Sequence, residues 1–175
     1  MLKTENLTLE PPSQEHYESL RNVKPSDEFY LMVGDDPNES PFLSDTLFNE
    51  SFTKLIDKEH HWYILKSHEI IGITFLHKIE KKDKRARFAI GIYDKENWCK
   101  GYGQEITDAI LKYAFQYLQL HKVDLRVLEF NRRAIASYRR SGFIQEGRLR
   151  ENAFINNEWH DDIVMSILCH EYCGK

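Results

Sequence analysis

The stretch that most constrains how this chain can fold is Trp98-Cys99-Lys100-Gly101-Tyr102-Gly103, where two glycines, two apart, separate a β-patterned run from an amphipathic helix. Before it, Arg87-Phe88-Ala89-Ile90-Gly91-Ile92-Tyr93 is apolar and partly β-branched; after it, Ile106, Ile110, Tyr113 and Tyr117 recur at helical spacing. A strand that turns directly into a helix leaves first-turn N–H groups without intrahelical partners, and these groups with the helix dipole favour negative charge. A glycine at this turn can take positive φ and lets a diphosphate come close to the backbone. The stretch predicts an anion cradle for a phosphorylated cofactor. Taken alone, it equally describes a loop glycine followed by a helix-start glycine.

The second half of the chain decides between these. Lys122-Val123-Asp124-Leu125-Arg126-Val127-Leu128-Glu129-Phe130 alternates as a strand, and the run from Asn131 to Phe143 reads as a capped helix ending at Gly142. The order strand, Asn-x-x-Ala-x-x-x-Tyr-x-x-x-Gly-Phe, then Glu146-Gly147, resembles the cofactor-binding half of the GNAT superfamily of acetyl-CoA-dependent N-acetyltransferases. The resemblance is strongest from about Ile70 to Ile167. Within the superfamily it is nearest the branch that holds the spermidine/spermine acetyltransferases and those of ribosomal-protein N-termini. One departure stands out: Trp98 occupies the place where the family's glycine motif has Gln or Arg.

The resemblance implies an α/β (α+β) GNAT fold, a mixed, mostly antiparallel, splayed sheet flanked by helices on both faces. It implies acetyl-CoA as co-substrate, direct transfer of acetyl to an amine, and no metal. It places the cofactor on Ile90, Gly91, Ile92, Trp98, Cys99, Lys100, Gly101, Tyr102, Gly103, Gln104, Asn131, Ala134, Tyr138 and Arg140. Tyr138 is implied as the general acid at the coenzyme A sulfur; read from spacing alone, it packs beside Ile135. Asn131 bonds the pantetheine arm, caps the helix, or does both. The oxyanion N–H is expected from a bulge at Gly91–Ile92, although a glycine in a strand also marks a close backbone approach.

An ammonium with a pKa near roughly 10.4 must lose a proton before it attacks. Several relatives carry Glu where this chain has Arg87, which would occupy a wall of the acceptor site. The bases left to consider are Glu28, Glu39, Glu50, His60, His61 or a water chain.

At 175 residues and 41% hydrophobic, the chain suits one core and a single domain over residues 1–175. No apolar run approaches the roughly twenty residues of a membrane helix, and Met1-Leu2-Lys3-Thr4-Glu5-Asn6 lacks a signal pattern, so a cytoplasmic protein is expected. Cys99, Cys169 and Cys173 lack disulfide or zinc spacing, with His170 between the last two. Residues 1–60 hold thirteen acidic against five basic side chains, whereas residues 61–120 hold seven against ten. An acidic first third is a solvated surface or a lobe that concentrates cationic amines.

The favoured acceptor is a small cationic amine such as a polyamine. A protein N-terminus, an aminoglycoside, an amino sugar and a non-catalytic acyl-CoA-binding sensor remain open. No aromatic-basic stripe points to nucleic acid, and Lys81-Lys82-Asp83-Lys84-Arg85 reads as a hairpin turn. A homodimer is possible from the resemblance.

The remaining elements follow in order. Leu7–Glu10 is a strand, Ser13-Gln14-Glu15-His16 opens a helix with Tyr17, Leu20 and Val23 buried, residues 35–44 form a loop, and Leu47–Ile56 is a helix. Strands at 62–65 and 70–76 make a hairpin, and a third covers 84–93. Two more flank Asn156-Asn157, with Asp161 and Asp162 read as polar residues flanking that turn, outside the chemistry.

Overall fold

The computed structural model describes residues 1–35, 45–56 and 58–172. Eight strands form one open sheet in the order β1 (Leu2–Lys3), β2 (Thr8–Glu10), β3 (His61–Lys66), β4 (Glu69–Glu80), β5 (Arg85–Ile92), β6 (Lys122–Leu128), β8 (Glu158–Leu168), β7 (Ile144–Ile155). Every neighbouring pair is antiparallel except β5 and β6. Period-2 alternation sends side chains to two separate cores. On β3, Trp62 and Ile64 enter one core while Tyr63 and Leu65 enter the other, so this strand is apolar almost throughout.

Helices cover both faces. On one, α4 (Tyr102–Lys112) buries Ile106, Ile110 and Leu111, and α5 (Arg132–Arg140) buries Ile135 and Tyr138. On the other, α1 (Tyr17–Arg21), α2 (Asp27–Val33) and α3 (Asp45–Ile56) contribute Leu20, Phe29, Tyr30 and Phe52. The helix α2 was not expected; it is short, capped by Ser26, whose hydroxyl accepts from the Phe29 N–H, and closed by Gly34 at φ +79. The expected Asp35–Ser44 loop falls on residues of which only Asp35 is described. Tyr117 is not on the buried stripe: a π-turn at Tyr113–Tyr117 adds a residue to the turn, shifts the helical face and leaves Tyr117 71% exposed. Two-residue turns of left-handed backbone close the β3–β4 and β7–β8 hairpins, at Ser67–His68 (φ +49, +71) and Asn156–Asn157 (φ +51, +65).

The sheet splits at its centre. β5 and β6 pair only at Arg85↔Lys122, Ala86↔Val123 and Arg87↔Asp124, and part beyond that. Arg87 Nε donates to Asp124 Oδ1 at 2.5 Å across the last of these pairs, both side chains largely buried. Arg87 therefore pins the vertex of the split, bonded to Asp124, instead of taking the expected place on a wall of the acceptor site.

The expected bulge at Gly91–Ile92 is absent. The β4–β5 register runs unbroken from Gly72↔Ile92 to His77↔Arg87 and shifts only between His77 and Glu80, where Lys78 has φ +51. Gly91 instead marks a close approach: a Cβ there would lie 2.8 Å from the Phe29 ring.

Candidate active site

The split opens a cleft of about 580 Å3 between β5 with the start of α4 on one side and β6 with α5 on the other. Gly101 caps α4 at φ +86, and its carbonyl accepts from the N–H groups of Gln104 and Glu105 at 3.0 Å. A Cβ at Gly101 would meet nothing within 4 Å, so the backbone angle is what requires glycine there. Cys99 is also left-handed, at φ +59. The turn thus presents successive main-chain N–H groups and the positive end of an eleven-residue helix to the cleft.

The Trp98 indole N–H donates to the Ile92 carbonyl at 2.9 Å and ties the strand end to the turn. The Arg133 guanidinium lies 3.8 Å over the Trp98 ring, and Arg140 Nε donates to Gln104 Oε1 at 3.3 Å. These residues fit a diphosphate, with N–H donors on one wall and two guanidiniums on the other.

Donor alternation along β5 supplies a second set of donors. The Tyr93 N–H donates to the Ile71 carbonyl on β4, so in an antiparallel ladder the N–H groups of Ile92 and Ile90 point away from β4, toward the cleft. Past the vertex, β6 no longer reaches them.

Opposite this edge, Asn131 Oδ1 accepts from the Ala134 N–H at 3.2 Å and its Nδ2 donates to the Met32 carbonyl at 3.2 Å. Its amide therefore caps α5 and ties α2 to it. Tyr138, packed edge-on against Phe88 and beside Phe143, is 9% exposed. Burial pushes its phenol well above the ordinary value, so it holds its proton.

Of the residues expected to hold the cofactor, Ile90, Gly91, Ile92, Trp98, Cys99, Gly101, Gly103, Gln104, Asn131, Ala134, Tyr138 and Arg140 line this cleft. Lys100 and Tyr102 do not. Lys100 is exposed, and Tyr102 turns its ring to Lys66, whose Nζ stands 5.5 Å from the ring centroid. The missed lining includes Arg133 and Ser137, which helical spacing from Ala134 and Tyr138 could have found. It also includes Phe29, Met32, Val33 and Gly34 of the α2 segment, along with Arg126 and Asp162, for which no local signal exists.

Among the bases considered, none that is described lines the cleft. Glu28 is exposed and paired with Lys95 at 3.2 Å, and a backbone hydrogen bond together with that lysine holds its carboxyl low. Glu50 is exposed on α3, and His60 shares a 3.1 Å hydrogen bond with Tyr113. His61 is buried, hydrogen-bonded to the Glu59 carbonyl and stacked on Phe75, and burial lowers its pKa. Glu39 lies outside the described residues, as does Cys173. Asp35 does line the cleft; it is an exposed residue whose pKa partial desolvation raises.

Residues 6–144 match the sequence profile of the acetyltransferase (GNAT) domain. The chain belongs to the GNAT acetyltransferase family. This acyltransferase is 31% identical over 140 residues to the spermidine N(1)-acetyltransferase of Vibrio cholerae, covering 78% of this chain and 80% of that one. It is also 31% identical over 139 residues to the spermidine N(1)-acetyltransferase of Escherichia coli K12, covering 78% and 74%. The crystal structure of spermidine N-acetyltransferase from Vibrio cholerae in complex with CoA and spermine superposes with a TM-score of 0.81 at 28% identity, covering 95% of this chain and 98% of that one. The split sheet of this GNAT acetyltransferase is thus the GNAT fold. Among the described residues no helix is long and apolar enough to cross a membrane.

Proposed function

We propose that this GNAT acetyltransferase transfers acetyl from acetyl-CoA directly to a small cationic amine of the polyamine class. The observation that carries the reading is that one cleft is lined by groups suited to phosphates and by carboxylates. Main-chain N–H donors of Cys99, Gly101 and Gly103 with Arg133 and Arg140 suit phosphates, and the carboxylates of Asp35 and Asp162 suit an ammonium. The similarity to spermidine acetyltransferases supports the same acceptor class.

When bound, acetyl-CoA supplies an activated thioester carbonyl. The β5 N–H groups of Ile90 and Ile92, unpaired beyond the vertex, are fitted to receive negative charge developing on the carbonyl oxygen. Tyr138, kept protonated by burial, donates to the departing sulfur. Asp35 draws the acceptor ammonium and, with its pKa raised, is the cleft carboxylate suited to accept its proton.

The test is release of free thiol from acetyl-CoA against polyamines, aminoglycosides, amino sugars and short peptides. Steady release with polyamines is expected. Release confined to peptides would replace the acceptor class, and binding of acetyl-CoA without release to any amine would replace the enzyme with a sensor.

A further inference from the structure

We propose that Asp162 is a specificity-determining residue of the acceptor site, receiving a second cationic nitrogen of the acceptor so that amines with two or more charges are selected over monoamines. The inference rests on the acetyltransferase reading above and assigns one residue within it.

Asp161 and Asp162 are neighbours on β8, so their side chains leave opposite faces of the sheet. Their surroundings differ accordingly. Asp161 is ion-paired with Arg148, which also meets Glu129, and it accepts the Glu151 N–H at 2.7 Å. Its charge is answered within the fold. Asp162 stands opposite Leu128 on β6 and Leu149 on β7 and accepts one hydrogen bond, from Asn152 Nδ2 to Oδ2 at 2.8 Å. Among the described residues no basic nitrogen lies within 4.0 Å of it. The Asn152 amide fixes the carboxylate in place and leaves the other oxygen to accept.

This carboxylate lines the cleft on the face that carries α2. Cross-strand partners share a face, so Asp162 lies with Leu128, and Leu128 Cδ1 would be 3.4 Å from a Cβ on Gly34 at the end of α2. Asp35 follows Gly34, so both cleft carboxylates belong to residues adjoining the Leu128 neighbourhood. The basic cleft side chain on the same strand is Arg126, opposite Val164 and one diagonal step from Asp162, with no ion pair between them. A half-buried carboxylate between two leucines is costly without a cation, and a second ammonium on the acceptor removes that cost. Two carboxylates in one cleft match a molecule with cationic nitrogens joined by a methylene chain.

The test compares wild type with Asp162→Asn and Asp162→Glu on 1,4-diaminobutane, spermidine and butylamine. Asp162→Asn retains the shape and removes the charge; unchanged melting temperature verifies the fold. The expected result is a KM for the diamine and spermidine raised by about tenfold to a hundredfold, from the loss of a charge-assisted hydrogen bond. The butylamine KM should rise by less than that of the diamine, so that the preference for the diamine over butylamine falls, and Asp162→Glu should recover part of the loss. Equal changes for butylamine and the diamine, or none for either, would overturn the role of Asp162 while leaving the acetyltransferase reading in place. A wild type that acetylates none of the three would overturn both the role of Asp162 and the polyamine acceptor class.

Discussion

Burial gives Tyr138 a proton it does not easily lose, and this has two measurable consequences. Replacing it by Phe removes the donor while keeping the packing against Phe88 and Phe143. The expected loss in kcat is about a hundredfold, with the acetyl-CoA KM within twofold. Because the phenol pKa is raised, kcat of the wild type should show no decline from its ionisation up to pH 10, which a pH–rate profile checks. Asp35 shifts in the same direction for the same cause, desolvation at the cleft wall. Asp35→Asn should raise the KM of cationic acceptors and leave that of acetyl-CoA alone; an unchanged acceptor KM would remove Asp35 from the acceptor site.

At the scale of elements, the geometry of the cleft depends on where β5 and β6 stop pairing. Three pairs hold them, and the Arg87–Asp124 bond closes the last with side chains 19% and 11% exposed. Arg87→Met leaves a largely buried carboxylate without its cation. A destabilisation of about 3 kcal/mol is expected, read as a fall in Tm of roughly 10 °C. Asn131 works between elements in the same way, capping α5 through Oδ1 and holding α2 through Nδ2. Asn131→Ala loses both contacts and should cost about 2 kcal/mol, measured by chemical denaturation.

For the molecule as a whole, His61 and His77 set a pH dependence of stability. Both have pKa values lowered mainly by burial, so the folded state resists protons that the unfolded chain takes up below about pH 6.5. Their contribution is intact above that pH and is lost as pH falls through the folded values. Tm should therefore drop between pH 7.5 and pH 5, and the double variant His61→Gln, His77→Gln should flatten that drop. Local chemistry sufficed for much of the architecture: the Gly101 turn, the Asn131 cap, the Asn156–Asn157 hairpin and the Tyr138 helix face are dictated by positive φ, capping and periodicity, which depend on residues close in the chain. The same signals picked out many of the residues that line the cleft. They could not assign Arg87, whose charge looked toward an acceptor until β6 brought Asp124 beside it. Nor could they separate Asp161 from Asp162, since one residue's step along a strand reverses its face and the partners on each face come from distant segments. The tertiary structure alone decided which charges are answered within the fold and which face the cleft, because pairing across a sheet depends on register and splay, and neither is encoded in neighbouring residues.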